Sequence, residues 1–309
     1  MRKNITIFSV LLLALLLFLA TQDLKMLSMI GIAFMLGLRH GFDADHIVAI
    51  DNVTRQLITQ NRASFKTGLF FALGHSTIVF LLTLLIVIGF SFASIEKTSA
   101  LDVGAFFGTV VSAVFLLLTG TMSLLSLKKM LKAKTSMAHD HTSNSILAKL
   151  FRPIIKVIDR PYKMYFVGFL FGLGFDTATE IALLGMAAAN VLNGLSIWYI
   201  MLLPISFALG MIIVDSIDAG LMSKVLSFNS KEQRFYRYNI IILCIVIAAA
   251  YIVALVELLG LLNTNIATIN LVTDFVDDYS STIGLSLVAI FSVFFVFKFV
   301  NVYSKRKIK

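Results

Sequence analysis

Eight runs of mostly apolar residues divide the chain, at roughly 5–21, 27–50, 66–90, 104–127, 165–189, 198–222, 239–262 and 282–302. No other feature constrains the fold as much. A helix needs about 20 apolar residues to cross the hydrocarbon of a bilayer, where unpaired backbone groups find no water. Only 14% of the residues are charged, where a soluble domain carries about a quarter. The single cysteine, Cys244, excludes an internal disulfide framework and a thiolate metal cluster. These features predict an all-α polytopic membrane protein of about eight transmembrane helices, built as a single domain over residues 1–309.

The net charge of +9 does not point to nucleic acid, because the basic residues gather in alternate loops. Arg2 and Lys3 precede the first run, and Arg55, Arg62 and Lys66 follow the second. The segment at about 128–163 has nine basic residues, beginning Lys128, Lys129, Lys132 and Lys134. Lys224, Lys231, Arg234 and Arg237 follow the sixth run, and Lys298, Lys305, Arg306, Lys307 and Lys309 close the chain. The intervening loops hold Lys25 and Lys97, and the last of them carries Asp274, Asp277 and Asp278. The positive-inside rule then sets both termini and the 128–163 loop in the cytoplasm. The first run also has the charged start and apolar stretch of a signal peptide. Its cleavage site is poorly formed, and a retained helix fits the alternation of charge.

Two short matches hint at internal repetition. GFDADHI at 41–47 is echoed by GFDTATEI at 174–181 with one insertion, and FALG at 71–74 recurs at 207–210. Spans two and three thus resemble spans five and six. An offset of three spans reverses direction through the membrane, which would make this an inverted repeat of the kind transporters use.

RHGFDADHIVAIDN, residues 39–52, is the anomaly within the apolar pattern. It places Arg39, His40, Asp43, Asp45, His46 and Asp51 at or near bilayer depth, where an ionisable group faces a cavity or a partner. On an ideal helix His40, Asp43 and His46 fall within an arc of about 120°, and Asp51 lies on the same side nearer the cytoplasm. Asp45 points away from that face. Either it orients a neighbouring ligand, or the helix unwinds near Gly41 and turns it inward; periodicity does not choose between these.

Three other spans carry polar groups at similar depth. The third has His75, Ser76 and Thr77; the fifth has Asp176, Thr177, Thr179 and Glu180; the sixth has Asp215, Ser216 and Asp218. Imidazole with carboxylate and no thiolate suits a divalent transition metal such as Ni²⁺, Co²⁺ or Zn²⁺. Each residue alone has a plainer reading as a helix–helix hydrogen bond or, beside Arg39, an ion pair. Gly37 with Gly41, and Gly168 with Gly172, read as close helix packing. His139, Asp140 and His141 read as a solvated loop. No GxxxxGK[ST] run points to an ATPase and no HExxH to an intramembrane protease.

RHGFDADHI, LGHSTIV, LGFDTATE and GMIIVDSID together resemble the four signature motifs of the nickel/cobalt transporter family. The family hallmark, His followed after four intervening residues by Asp-His, corresponds to His40, Asp45 and His46. The likeness covers the motif order, the eight spans and the long middle loop. It implies a secondary permease importing Ni²⁺ and/or Co²⁺ across the cytoplasmic membrane, with no cofactor beyond the transported ion and no ATPase subunit. It also implies that His40, Asp45, His46 and His75 matter for uptake, with Asp176, Glu180, Asp215 and Asp218 in support.

These residues lead to an expected ion path. A hydrated ion exchanges water for His40, His46 and His75, with Asp43 or Asp45 completing the set. Asp215 and Asp218 receive it on release, Asp176 and Glu180 supply counter-charge, and Thr177 and Asp51 flank the path. The alternatives are a channel or transporter for another divalent metal or solute, using the cluster as a proton relay, and a membrane metalloenzyme. The latter needs many histidines, and the chain has 5.

Overall fold

The computed structural model describes residues 24–60, 62–89, 99–135, 158–174, 178–227, 233–261 and 279–293, with Leu271, Thr273, Phe275 and Val296. The first apolar run, Asp176, Thr177, His139, Asp140, His141, Lys97, Asp274, Asp277 and Asp278 lie outside those residues. Among the described residues every regular element is helical: α1 Leu24–His40, α2 Ala44–Thr59, α3 Thr67–Val87, α4 Ser99–Thr135, α5 Met164–Phe171, α6 Ala178–Leu192, α7 Leu202–Ser227, α8 Gln233–Leu261 and α9 Tyr279–Val293. The segments Thr67–Val87, Phe106–Lys128, Ile197–Lys224 and Ile240–Leu261 are each long and apolar enough to cross a bilayer unaided. Their polarity is that of a membrane protein. Ile32, Met35, Phe166 and Leu255 are exposed, while His40, His46, Asp51, Asp215 and Asp218 are buried.

The second apolar run is not one helix over 27–50. It stops at His40 and restarts at Ala44, and α2 continues to Thr59. Hydropathy ends the span at Asp51, but Asp51, Asn52 and Arg55 are inside the bundle rather than beyond it. The unwound turn loses few hydrogen bonds. The amides of Gly41, Phe42 and Asp43 donate to the carbonyls of Gly37, Arg39 and His40 at 3.0, 3.0 and 2.8 Å. The Ala44 amide donates to Ser280 Oγ of α9 at 3.1 Å. Broken helices persist at membrane depth only where protein satisfies the freed groups in this way. Helix α5 likewise ends at Phe171 within the fifth run, with the amides of Gly172 and Gly174 bonded to Gly168 and Phe171.

The repeat is evident in how the helices pack. Ser206 donates to the Ile30 carbonyl, Gly37 meets Phe207, and Gly41 meets Met211 and Val214. Residue numbers rise together, so α1 and α7 run parallel. Gly168 meets Phe71, Gly74 meets Tyr165 and Phe169, and Gly172 meets His75 and Ile78, so α3 and α5 run parallel too. Ser64 bonds Ser223 while Gly68 meets Asp215, so α3 is antiparallel to α7. The glycine contacts of one pair have counterparts in the other: Gly37 on Phe207 matches Gly168 on Phe71, and Gly210 on Phe34 and Leu38 matches Gly74 on Tyr165 and Phe169. The fold holds an inverted repeat whose halves exchange helices. Glycine is required at these crossings, because a Cβ at Gly37 or Gly168 would sit 1.9 or 2.0 Å from the opposing carbonyl oxygen.

At one end of the bundle Arg62 donates to the Asp159 carbonyl at 3.1 Å and Lys163 Nζ meets the Asp159 carboxylate at 2.6 Å. The Lys163 ammonium holds that carboxyl below its ordinary range. This clasp ties the α2–α3 loop to the start of α5.

Candidate metal centre

The break at Gly41 brings the cluster together. It turns the chain so that His40, at the end of α1, and His46, in the first turn of α2, face His75 from the middle of α3. The three rings lie 4.7–4.8 Å apart centre to centre, and one donor atom from each falls within 4.8 Å of the others. Their exposures are 1%, 1% and 4%. The end of α1 also presents the negative pole of a helix to this point, which favours a cation. Asp43 and Asp45 offset the positive pole of α2.

Hydrogen bonding fixes two of the rings. His40 Nδ1 lies 2.7 Å from Asp43 Oδ2, and Ser281 of α9 donates to Asp43 Oδ1 at 2.5 Å. Both Asp43 oxygens are therefore engaged, and the carboxylate holds His40 with the Nε2 lone pair turned into the cluster. His75 Nε2 is 3.0 Å from His40 Nε2 and 2.9 Å from Glu180 Oε1. Because a carboxylate accepts, the His75 N–H donates towards both. Thr179 Oγ1 approaches His40 Nδ1 at 3.3 Å. His46 differs from the other two: neither ring nitrogen has a hydrogen-bond partner among the described residues, and Asp215 Oδ2 stands 3.8 Å from its Nδ1.

The remaining expected residues fall into three groups. Asp45 is half-buried in the first turn of α2, just past the break at Gly41. Glu180 joins the cluster directly, although hydropathy gave no sign that it would touch His75. Asp51, Asp215 and Asp218 form a second buried group farther along α2 and α7. Asp51 pairs with Arg55 at 3.7 Å, and no carboxylate oxygen of the three has a hydrogen-bond partner among the described residues. Among those residues no ion pair joins Arg39 to the carboxylates, so the plain ion-pair reading of this stretch fails there.

Several contributors went unnoticed in the sequence. Ser280 and Ser281 brace the break from more than 230 residues away, and Phe71 and Phe207 enclose the rings. Phe207 lies 5.4 Å from His40, and Phe71 lies 4.8 Å from His46. The FALG repeat was the available signal for the phenylalanines; nothing local marked the serines.

Three buried imidazoles, one with both nitrogens free, make a site that can exchange water for nitrogen on a borderline divalent ion. Residues 26–301 match the family described as NicO, high-affinity nickel-transport protein. The chain is 36% identical to a nickel transporter, NixA, of Staphylococcus aureus, over 80% of this chain and 76% of that one. It is 37% identical to a high-affinity nickel transport protein of Cupriavidus necator, over 75% and 69% of the two chains. It is 33% identical to the cobalt transport protein NhlF of Rhodococcus rhodochrous, over 72% and 69%. No solved structure matches the chain. With a family match over nearly its whole length and such relatives, the chain belongs to the NicO family of high-affinity nickel-transport proteins, which are transporters and not enzymes.

Proposed function

We propose that this chain is a secondary permease that imports Ni²⁺, and Co²⁺ in competition with it, across the cytoplasmic membrane. One observation carries the reading: His40, His46 and His75 converge from three helical segments, buried, with donor atoms within 4.8 Å. The ion sheds water and takes nitrogen from the three rings. Asp43 orients His40 instead of ligating, since both its oxygens are already engaged. A histidine ligand held by a carboxylate is a recurrent device of metal sites. Asp45 adds charge beside His46, and Glu180 adds charge at His75, with Asp176 and Thr177 on the same segment. Asp215 passes the ion from His46 towards Asp51 and Asp218, and the Asp218 oxygens, with no hydrogen-bond partner among the described residues, suit a temporary stop.

The membrane potential is a sufficient driving force. At about 2.3 kcal/mol per charge per 100 mV, a divalent ion gains about 4.6 kcal/mol. That supports a gradient of roughly two thousandfold. The whole chain acts as one transmembrane domain, with both termini and the 128–163 loop cytoplasmic, as its Lys and Arg distribution favours.

The test is uptake of radiolabelled Ni²⁺ at nanomolar concentration by cells carrying the wild type or His46→Ala at matched membrane levels. Saturable uptake abolished in the variant supports the reading. Absence of uptake in the wild type removes nickel as the substrate, and uptake indifferent to the variant removes the histidines from the path.

A second reading rests on the continuous chain Asp43–His40–His75–Glu180. Such a chain can relay protons and would serve a channel or transporter for another metal or solute. Proton flux through reconstituted protein without Ni²⁺ or Co²⁺ would favour it.

A further inference from the structure

The cluster is closed on every side. His40, His46 and His75 are 1%, 1% and 4% exposed, and a hydrated ion is far larger than any gap such burial allows. Something must move on each side of the site for an ion to pass. Among the described residues Phe71 and Phe207 are placed to do so.

We infer that Phe71 and Phe207 are the two gates of the ion path, repeat-related rings that cover opposite sides of the histidine site and open in alternation. The inference rests on the histidine reading of the preceding section. The two residues open the two FALG segments, and both are 0% exposed. Phe71 lies one turn before His75 in α3. Phe207 lies one turn before Met211, which takes the place of His75 in the repeat. Because α3 and α7 are antiparallel, a position towards the start of one helix lies on the opposite membrane side from the same position in the other. The rings therefore flank the cluster from opposite sides: Phe207 tilts 34° to His40 at 5.4 Å, and Phe71 meets His46 edge-on at 4.8 Å.

The repeat relates more than the two rings. His40 packs on Phe207 as Phe171 packs on Phe71, at 5.2 Å, and Phe171 corresponds to His40 through the matched glycines. One half of the repeat thus carries a ligand where the other carries a phenyl plug, which Phe115 extends at 5.8 Å from Phe171. Each gate is pinned to its partner helix, with Phe207 against Gly37 and Phe71 against Gly168. A tilt of the α1–α7 pair against the α3–α5 pair carries each ring along rigidly. It opens one side while pressing the other closed, and the His40–His75 contact lies at the junction of the two pairs.

The experiment uses the full chain with Cys244→Ser, into which Phe207→Cys or Phe71→Cys is introduced. A membrane-impermeant thiol reagent is applied to right-side-out and inside-out vesicles. The expected result is labelling of Phe207→Cys from the external face alone and of Phe71→Cys from the cytoplasmic face alone. Labelling of both from one face, or of neither from any face, overturns the inference. In a second arm Phe71→Ala/Phe207→Ala is compared with Phe71→Leu/Phe207→Leu in proteoliposomes. The alanine pair should lose saturation, its nickel flux rising linearly with concentration, while the leucine pair stays saturable. Saturable flux in a folded alanine pair overturns it as well. Should Phe71 variants fail to fold, the labelling of Phe207→Cys decides. Sidedness is read without nickel, so it stands apart from the histidine reading, which fails if wild-type vesicles take up no nickel.

Discussion

His40 Nε2 and His75 Nε2 lie 3.0 Å apart across the junction between the α1–α7 and α3–α5 pairs. Two nitrogens bound about 2.1 Å from one metal ion are about 3.0 Å apart at a right angle and about 3.4 Å apart at the tetrahedral angle. The spacing therefore suits a six-coordinate or square ion once the His75 proton moves from Nε2 to Nδ1, which has no hydrogen-bond partner among the described residues, and a tetrahedral ion only if the rings also spread.

That geometry predicts the order of competitors. Unlabelled Co²⁺ should suppress Ni²⁺ uptake at lower concentration than Zn²⁺, and oxygen-preferring Mn²⁺ should be weakest. Zn²⁺ competing as well as Co²⁺ would show that ring spacing does not set selectivity.

Asp43 acts through His40. Asp43→Ala should weaken Ni²⁺ binding by about 10–100-fold, the usual effect of removing a carboxylate that orients a metal-bound histidine. Ser281→Ala, which removes one bond to Asp43, should do the same more mildly. Binding titrations on purified protein separate this from a lower expression level, and an unchanged affinity in Asp43→Ala would assign the carboxylate no orienting role.

Uptake should fall as the external medium is acidified through the range in which imidazole titrates. The sign follows from the ligand chemistry: protonated imidazole has no lone pair to give, and metal binding must displace the proton. An uptake assay from pH 8 to pH 5 at clamped membrane potential measures it. A flat profile, or one rising towards acid, would contradict nitrogen ligation.

The glycine crossings make a stability prediction. Gly37→Ala and Gly168→Ala each place a methyl group within about 2 Å of a carbonyl oxygen, so both should destabilise the protein by at least the 1–3 kcal/mol typical of overpacking, roughly. Gly31→Ala, with nothing within 4 Å of the added carbon, should be neutral or stabilise by under about 1 kcal/mol. Thermal unfolding in detergent compares the three, and equal melting temperatures would refute the close approach.

Much of this was legible in the sequence, for identifiable reasons. Apolar runs report spans because the bilayer leaves so few alternatives, and the helices α3 and α8 fall close to where hydropathy puts them. FALG exposed the repeat because the same carbonyl–glycine crossing is built twice. The break at Gly41 was not decided, since helical periodicity and an inward turn both bring His40, Asp43 and His46 together. Contact with α9 separates them, through Ser280 and Ser281 and through Gly284, whose missing side chain admits the Phe42 carbonyl. The full length of α2 was hidden because Asp51 and Arg55 look like a membrane boundary, yet neutralise each other inside the bundle. Glu180 was expected as counter-charge and not as a neighbour of His75, because that contact spans 105 positions.

The most direct measurement is the nickel X-ray absorption spectrum of the purified protein loaded with one equivalent of Ni²⁺, beside that of His46→Ala. The expected spectrum shows three imidazole ligands in the wild type and one fewer in the variant. A shell of oxygen alone, or an imidazole count untouched by the substitution, would contradict the claim that His40, His46 and His75 together hold the ion.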